Sequence, residues 1–184
     1  MPRAIGMIEC QSIATGVLAA DAMLKASDVE ILASGTVCPG KHTTLIGGGV
    51  AAVQHSVDVG RQIGGPAVVD SFVIPNVHES IFPAIKGAVD LPAGDLRSLG
   101  IVESFSMASL IVAADTAAKT SDVTLIEVRL GLAIGGKAFV TLMGDVAAVQ
   151  AAVDAAATPL REGGLLVNRV VIPRPHPDLL RTMV

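Results

Sequence analysis

The sequence predicts an α+β protein built from two tandem ferredoxin-like domains, each ordered βαββαβ, and three observations predict it. An internal repeat runs along the chain in register, each copy alternates strand and helix periods, and glycines and prolines punctuate the joins. Gly6-Met7-Ile8-Glu9 reappears as Gly100-Ile101-Val102-Glu103, Ala19-Ala20-Asp21 and Lys25 as Ala113-Ala114-Asp115 and Lys119, and Ser27-Asp28-Val29 as Ser121-Asp122-Val123. After two extra residues in the second copy, Gly40-Lys41 matches Gly136-Lys137, Val50 to Gln54 matches Val146 to Gln150, and Val73-Ile74-Pro75 with His78 returns as Val171-Ile172-Pro173 with His176. The expected domains are residues 1–86 and 98–184, joined through Lys86 to Arg97, where Gly87, Pro92 and Gly94 supply linker chemistry.

The elements follow in order. Ala4 to Glu9 is a short strand. Ile13, Val17, Ala20 and Leu24 then recur at helical spacing, as do Met107, Ile111, Ala114 and Ala118, and Ser12 and Ser106 stand where N-caps belong. A second strand begins at Val29 to Leu32; in the other copy Ile126, Val128 and Leu130 alternate with Glu127 and Arg129, the period of a half-buried strand. The third strand is His42 to Ile46. A second helix shows Val50, Val53 and Val57 on one face, and the fourth strand, Ser71 to Ile74, ends at Pro75. This order is the split βαβ arrangement, an antiparallel sheet with helices on one side.

Composition narrows the function. Half the chain (51%) is apolar while only 16% is charged, and mean hydropathy is +0.63, yet no run approaches the ~20 apolar residues a membrane span needs. Cys10 to Ala20 stops at Asp21, and Ser104 to Ala114 at Asp115. The surplus apolar surface is therefore expected to be buried between subunits. A net charge of −4 and 2% aromatic residues argue against a nucleic-acid partner, which asks for a basic face and stacking platforms. The start, Met1 to Gly6, carries neither a signal-peptide core nor a transit peptide, so a cytoplasmic location is expected.

Residues shared by both copies serve the fold or a common interface better than a single active centre, which points Glu9 and Glu103 and Asp21 and Asp115 to structural or solvated roles, and His78 and His176 to turn or interface roles. Gly47-Gly48-Gly49 lacks the P-loop pattern, and the second copy has Met143-Gly144-Asp145 there, so it reads as a turn before a helix. No nucleophile–base–orienter set, HExxH, CxxC or nucleotide fingerprint appears, and no enzymatic activity is expected. Cys10 aligns with Ser104 and reads as a buried thiol.

The asymmetric feature is Cys38-Pro39-Gly40-Lys41, opposite Ile134-Gly135-Gly136-Lys137. One reading is a lone apolar thiol. The other invokes symmetry, because a cyclic trimer brings three copies of Cys38 around one point and makes three soft ligands from one residue per chain.

Gly6-Met7-Ile8-Glu9, Asp21-Ala22-Met23-Leu24-Lys25, Val50-Ala51-Ala52-Val53-Gln54 and Val171-Ile172-Pro173-Arg174-Pro175-His176 resemble the motifs of the bacterial microcompartment shell domain, and they cover nearly the whole chain. The tandem arrangement resembles trimeric shell proteins that imitate the flat hexamers of single-domain shell subunits. The resemblance implies a non-enzymatic homotrimer in the shell beside hexameric neighbours. The Thr36 to Lys41 loop further resembles the propanediol-utilisation branch of the family, which implies a 4Fe-4S cluster held by Cys38 from three subunits at a central pore, for electron transfer with a luminal or cytosolic redox enzyme. Pore-lining roles then fall to Val37, Pro39, Gly40, Ile134, Gly135 and Gly136, and shell edge contacts to Lys25, Lys119, Asn76 and Arg174. The usual Pro-Arg-Pro-His stands at Pro173 to His176, whereas the first copy departs to Pro75-Asn76-Val77-His78. Alternatives are a passive metabolite pore and a soluble ligand-binding or signalling protein.

Overall fold

Strand β1 (Ala4–Cys10) is an interior strand of its sheet and is buried along its whole length. It is flanked by β3 (Lys41–Gly48) and β4 (Val68–Ile74), and β2 (Val29–Val37) completes a sheet of order β2-β3-β1-β4 with every neighbour antiparallel. Helices α1 (Ile13–Ala26) and α2 (Val50–Gly64) pack against each other and onto β1 and β3. The computed structural model describes residues 3–89, 97–131 and 134–180; Pro92 and Gly94 of the expected join lie outside them. By contacts the chain divides into two units. The first runs to Val77 and includes Ser106–Ser109 and Gly131–Lys137.

The core of the first unit gathers Ala4, Ile8, Cys10, Ala19, Met23, Ile46, Val53 and Val57. Each large apolar side chain so buried contributes roughly 1.5–3 kcal/mol. The glycine opening the repeated motif has a packing reason: a Cβ on Gly6 would stand 2.6 Å from Val57 Cγ2 and 2.8 Å from Val53 Cγ1, so only glycine lets α2 lie this close to β1. Gly47 and Gly48 of the expected turn instead end β3, paired with both β1 and β2, and only Gly49 joins strand to helix, extended and with its carbonyl accepting from Val53 N–H.

Both serines cap as their positions predict: Ser12 Oγ accepts from Thr15 N–H at 3.3 Å and Ser106 Oγ from Ser109 N–H at 3.0 Å. The buried face of α1 differs from the expected one. Gly16, Ala19, Ala20 and Met23 point inward, while Ile13, Val17 and Leu24 of the predicted stripe are exposed at 42%, 53% and 39%. The small residues decide this, because a Cβ on Gly16 would fall 2.6 Å from that of His42, and only the glycine and alanine face fits so near the sheet.

The second unit contains β5 (Ser98–Ser104), β6 (Val123–Leu130), β7 (Ala138–Gly144) and β8 (Leu166–Pro173) in the equivalent antiparallel order β6-β7-β5-β8. Helix α4 (Met107–Thr120) buries all of its predicted stripe, Met107, Ile111, Ala114 and Ala118, and α5 (Val146–Glu162) packs on β5 and β8. A Cβ on Gly100 would press within 2.9 Å of Val153, Leu142 and Val149, the same constraint as at Gly6.

Two short helices go beyond the expected elements. Helix α3 (Ile81–Lys86) buries Ile81 and Ala84, and α6 spans Pro177–Leu180. The repeated histidines start them: His78 Nδ1 bonds Ser80 Oγ at 2.7 Å and accepts from Ser80 N–H, and His176 Nδ1 accepts from Asp178 N–H at 3.2 Å. Among the described residues no helix is long and apolar enough to cross a membrane.

Candidate functional site

The Cys38 loop is a tight reversal between β2 and β3. Val37 ends one strand, Lys41 begins the other, and Gly40 N–H donates to the Val37 carbonyl at 3.0 Å. That closure puts Gly40 at φ +90°, a left-handed conformation that L side chains rarely adopt. The Cys38–Pro39 peptide is cis. Cys38 and Val37 are half-buried, and Pro39 and Gly40 are exposed.

Within the same unit, the Gly131–Lys137 segment packs against this reversal. Cys38 N–H donates to the Gly131 carbonyl at 3.1 Å, and a Cβ on Gly136 would stand 2.6 Å from Pro39 Cδ and 2.9 Å from the Cys38 carbonyl oxygen. Ile134 is half-buried and Gly135 exposed, and the Ile134 carbonyl accepts from Lys137 N–H at 3.3 Å. The predicted loop residues of the two copies are thus brought together, with Gly136 at direct approach to the Cys38–Pro39 backbone.

The base of the hairpin is fixed by a charge hub. Glu9 is fully buried, and its Oε1 accepts from Lys41 Nζ at 2.6 Å. Its Oε2 accepts from the amides of Met107 at 3.0 Å and Ala108 at 3.4 Å. A carboxylate here satisfies two orphan amides of α4 and meets the positive end of its dipole. Asp70, opposite Glu9 in the β1–β4 register, accepts from Ser106 Oγ and from Ser109 Oγ, the latter at 2.6 Å. Sequence reasoning left Glu9 a structural or solvated role and did not find this hub. The signal was the Glu9–Lys41 pair, which recurs as Glu103 and Lys137.

The donor set at the loop is one thiol per chain. Cys10 is no second ligand: it lies in the β1 core, where burial, and then the Glu9 charge, push its thiol pKa up. Among the described residues no group of three or more His, Cys, Asp or Glu could hold a metal ion. Cys38 therefore fits a thiolate-ligated group only where other copies of the chain supply equal donors.

The expected edge residues are spread over both units. Lys25 pairs with Asp21 at 2.6 Å on the exposed face of α1. Lys119 pairs with Asp115, which is buried and also accepts from His78 N–H at 2.7 Å, so this lysine caps a more constrained arrangement. Asn76 is exposed after β4. Arg174 is exposed at φ +49°, lines an open groove of about 780 Å³ with Arg97, Asp145 and Pro177, and donates its N–H to the Arg97 carbonyl at 3.0 Å.

Comparison with known proteins bears on what such a molecule is. The family profile described as BMC domain matches residues 4–77 and again 98–175. The bacterial microcompartment shell protein PduT of Citrobacter freundii is 48% identical over 185 aligned residues, covering 100% of this chain and 99% of that one. The shell protein EutM of Salmonella typhimurium LT2 is 41% identical over 85 residues, 46% of this chain and 85% of EutM. A crystal structure of a microcompartment protein from Desulfitobacterium hafniense DCB superposes with a TM-score of 0.87 at 53% identity, covering 97% of this chain and 98% of that one.

Proposed function

The chain belongs to the BMC-domain family, the structural and non-enzymatic shell proteins of bacterial microcompartments, and from that premise we propose that three chains close a pseudohexameric ring around their Cys38 loops and hold a 4Fe-4S cluster there. The observation that carries this reading is the asymmetry of the equivalent loops: Cys38 and Pro39 stand in one copy against Ile134 and Gly135 in the other, packed together in one unit. Three chains then present three thiols and three Ile134 loops around the opening.

When bound, such a cluster supplies one-electron transfer. The chain's own contribution is positioning. Lys41 and Glu9 pin the hairpin base, the Gly131 carbonyl ties down the Cys38 amide, and Gly136 permits the close approach of the second loop. Val37, Pro39, Gly40, Ile134, Gly135 and Gly136 line the opening in this proposal, and residues 1–86 and 98–184 are its two pseudo-equivalent domains. Lys25, Lys119, Asn76 and Arg174 form the edges that meet hexameric shell neighbours, and a redox enzyme on one side of the shell is the electron partner.

Iron and acid-labile sulfide per chain, measured after anaerobic purification and reconstitution, test the reading. Wild type should hold a third of a cluster per chain. Cys38→Ser should lose colour and paramagnetic signal as a trimer, and Cys10→Ser should keep both. A colourless protein that binds zinc, or none, with the ring intact, leaves a passive pore in its place.

A further inference from the structure

Resting on the ring reading above, we infer that each chain holds the next through a second, intermolecular copy of the Glu9 hub: Glu103 and Asn168 of one chain seat on the Ser12–Thr15 start of α1 in a second copy. The internal repeat makes the prediction residue by residue. Ser12 and Thr15 are the counterparts of Ser106 and Ser109, and Glu103, Lys137 and Asn168 those of Glu9, Lys41 and Asp70.

The donor side is built alike in both copies. Glu9 lies opposite Asp70 and Glu103 opposite Asn168, and each pairing is followed by a register shift at the same place, between Glu9 and Cys10 and between Glu103 and Ser104. Asp70 Oδ1 accepts from Ser71 N–H at 2.8 Å, leaving Oδ2 for the two serine hydroxyls. Asn168 Oδ1 accepts from Arg169 N–H, also at 2.8 Å, which leaves its NH₂ group at the position of Asp70 Oδ2. A donor there suits Ser12 and Thr15, whose hydroxyl oxygens accept where those of Ser106 and Ser109 donate.

Burial separates the filled seat from the open one. Glu9 is fully buried and Glu103 half-buried; Asp70 is half-buried and Asn168 exposed. Met107 is fully buried, whereas its counterpart Ile13 is 42% exposed beside Val17 and Leu18 at 53% and 59%. The amides of Met107 and Ala108 reach Glu9, while among the described residues nothing in the chain accepts from those of Ile13 and Ala14. An apolar stripe next to two first-turn amides and two hydroxyls asks for an apolar surface carrying an acid and an amide, which is what the second copy's β5 and β8 present. Because each chain gives one such seat and fills one, the contact is head to tail and can repeat until a ring closes.

Paired cysteines test this in a Cys38→Ser background with a short bis-maleimide. Thr15→Cys with Asn168→Cys should give covalent chains up to trimers on a denaturing gel, and Ser109→Cys with Asp70→Cys should close only within one chain and stay at monomer mass. The isosteric Glu103→Gln should raise the concentration at which the ring dissociates on dilution about tenfold, the loss of one charge-assisted cap. A trimeric wild type whose Thr15/Asn168 pair stays at monomer mass, or whose Glu103→Gln dissociates no earlier, overturns the seam and leaves the ring. A monomeric wild type overturns the ring itself.

Discussion

Helices α1 and α4 start from equivalent serines, run for 14 residues each and carry the same predicted apolar stripe, yet the chain treats them oppositely. The start of α4 is sealed by the buried Glu9 and by Asp70, whereas among the described residues the start of α1 has its own Ser12 as side-chain cap, with Ile13 and Val17 exposed. The first turns match in chemistry, Ser12, Ala14 and Thr15 against Ser106, Ala108 and Ser109, while Leu110 stands where α1 has Gly16. The difference lies in which surface each helix can reach, so an apolar stripe in a duplicated protein states that a partner exists without stating whether it is in the same chain.

The sharpest way to break this comparison is to remove the two acids in turn. Glu9→Ala strands Lys41 and two helix amides in the interior, and should cost about 3–5 kcal/mol, a fall in Tm of roughly 10 °C. Glu103→Ala, at a half-buried site, should cost the chain fold less than about 1.5 kcal/mol. Guanidinium denaturation of both variants at matched concentration checks this, and equal losses would mean that the two seats are equally internal.

Where the copies share a packing problem, they should respond alike. Gly6→Ala and Gly100→Ala each push a methyl into valines held against the central strand, and each should cost roughly 1–3 kcal/mol. Denaturation midpoints that diverge widely would show that one core relaxes and the other does not. The caps lie lower on the scale. Ser106→Ala removes a cap and a donor to Asp70 and should cost about 1–2 kcal/mol, against roughly 0.5–1 kcal/mol for Ser12→Ala. Thermal melts of the two variants measure the gap.

The repeat made the architecture legible. Matching strands around Gly6 and Gly100, the serine caps and the inward Val53 and Val57 of α2 follow from periodicity, because local spacing decides which residues a strand or helix can turn inward, although Val50 of that expected face is exposed. The face of α1 was not legible, since Gly16, Ala19 and Ala20 win the inward side by being small rather than by being the most apolar. Nor were α3 and α6, whose few residues are too short for a period. Their signal was chemical: a repeated histidine two residues before a donor amide, with Pro177 at the first helical position. At the Cys38 loop, the residues were legible but their neighbours were not, because Gly131 and Gly136 reach it only through the fold.

The smallest effect separates the copies by pH alone. His42 on β3 is buried against Gly16, and among the described residues its Nδ1 has no hydrogen-bond partner; the second copy has Ala138 at that place. Burial holds the His42 pKa below the ordinary value of 6.5, because a charged ring cannot be solvated there. The unfolded chain therefore takes up a proton at a pH where the folded chain does not. Stability from this site is complete above pH 6.5 and is lost as the pH falls from 6.5 toward the lowered folded value. His42→Gln, which cannot titrate, should flatten that part of the stability curve. Denaturation midpoints of wild type and variant, followed from pH 7.5 down to about 5, should converge on a smaller difference as the acid is added if His42 destabilises the folded state in this way. Parallel curves would mean that the imidazole finds a proton partner in the folded protein, and that the unpaired nitrogen beside α1 is filled when the α1 face is covered.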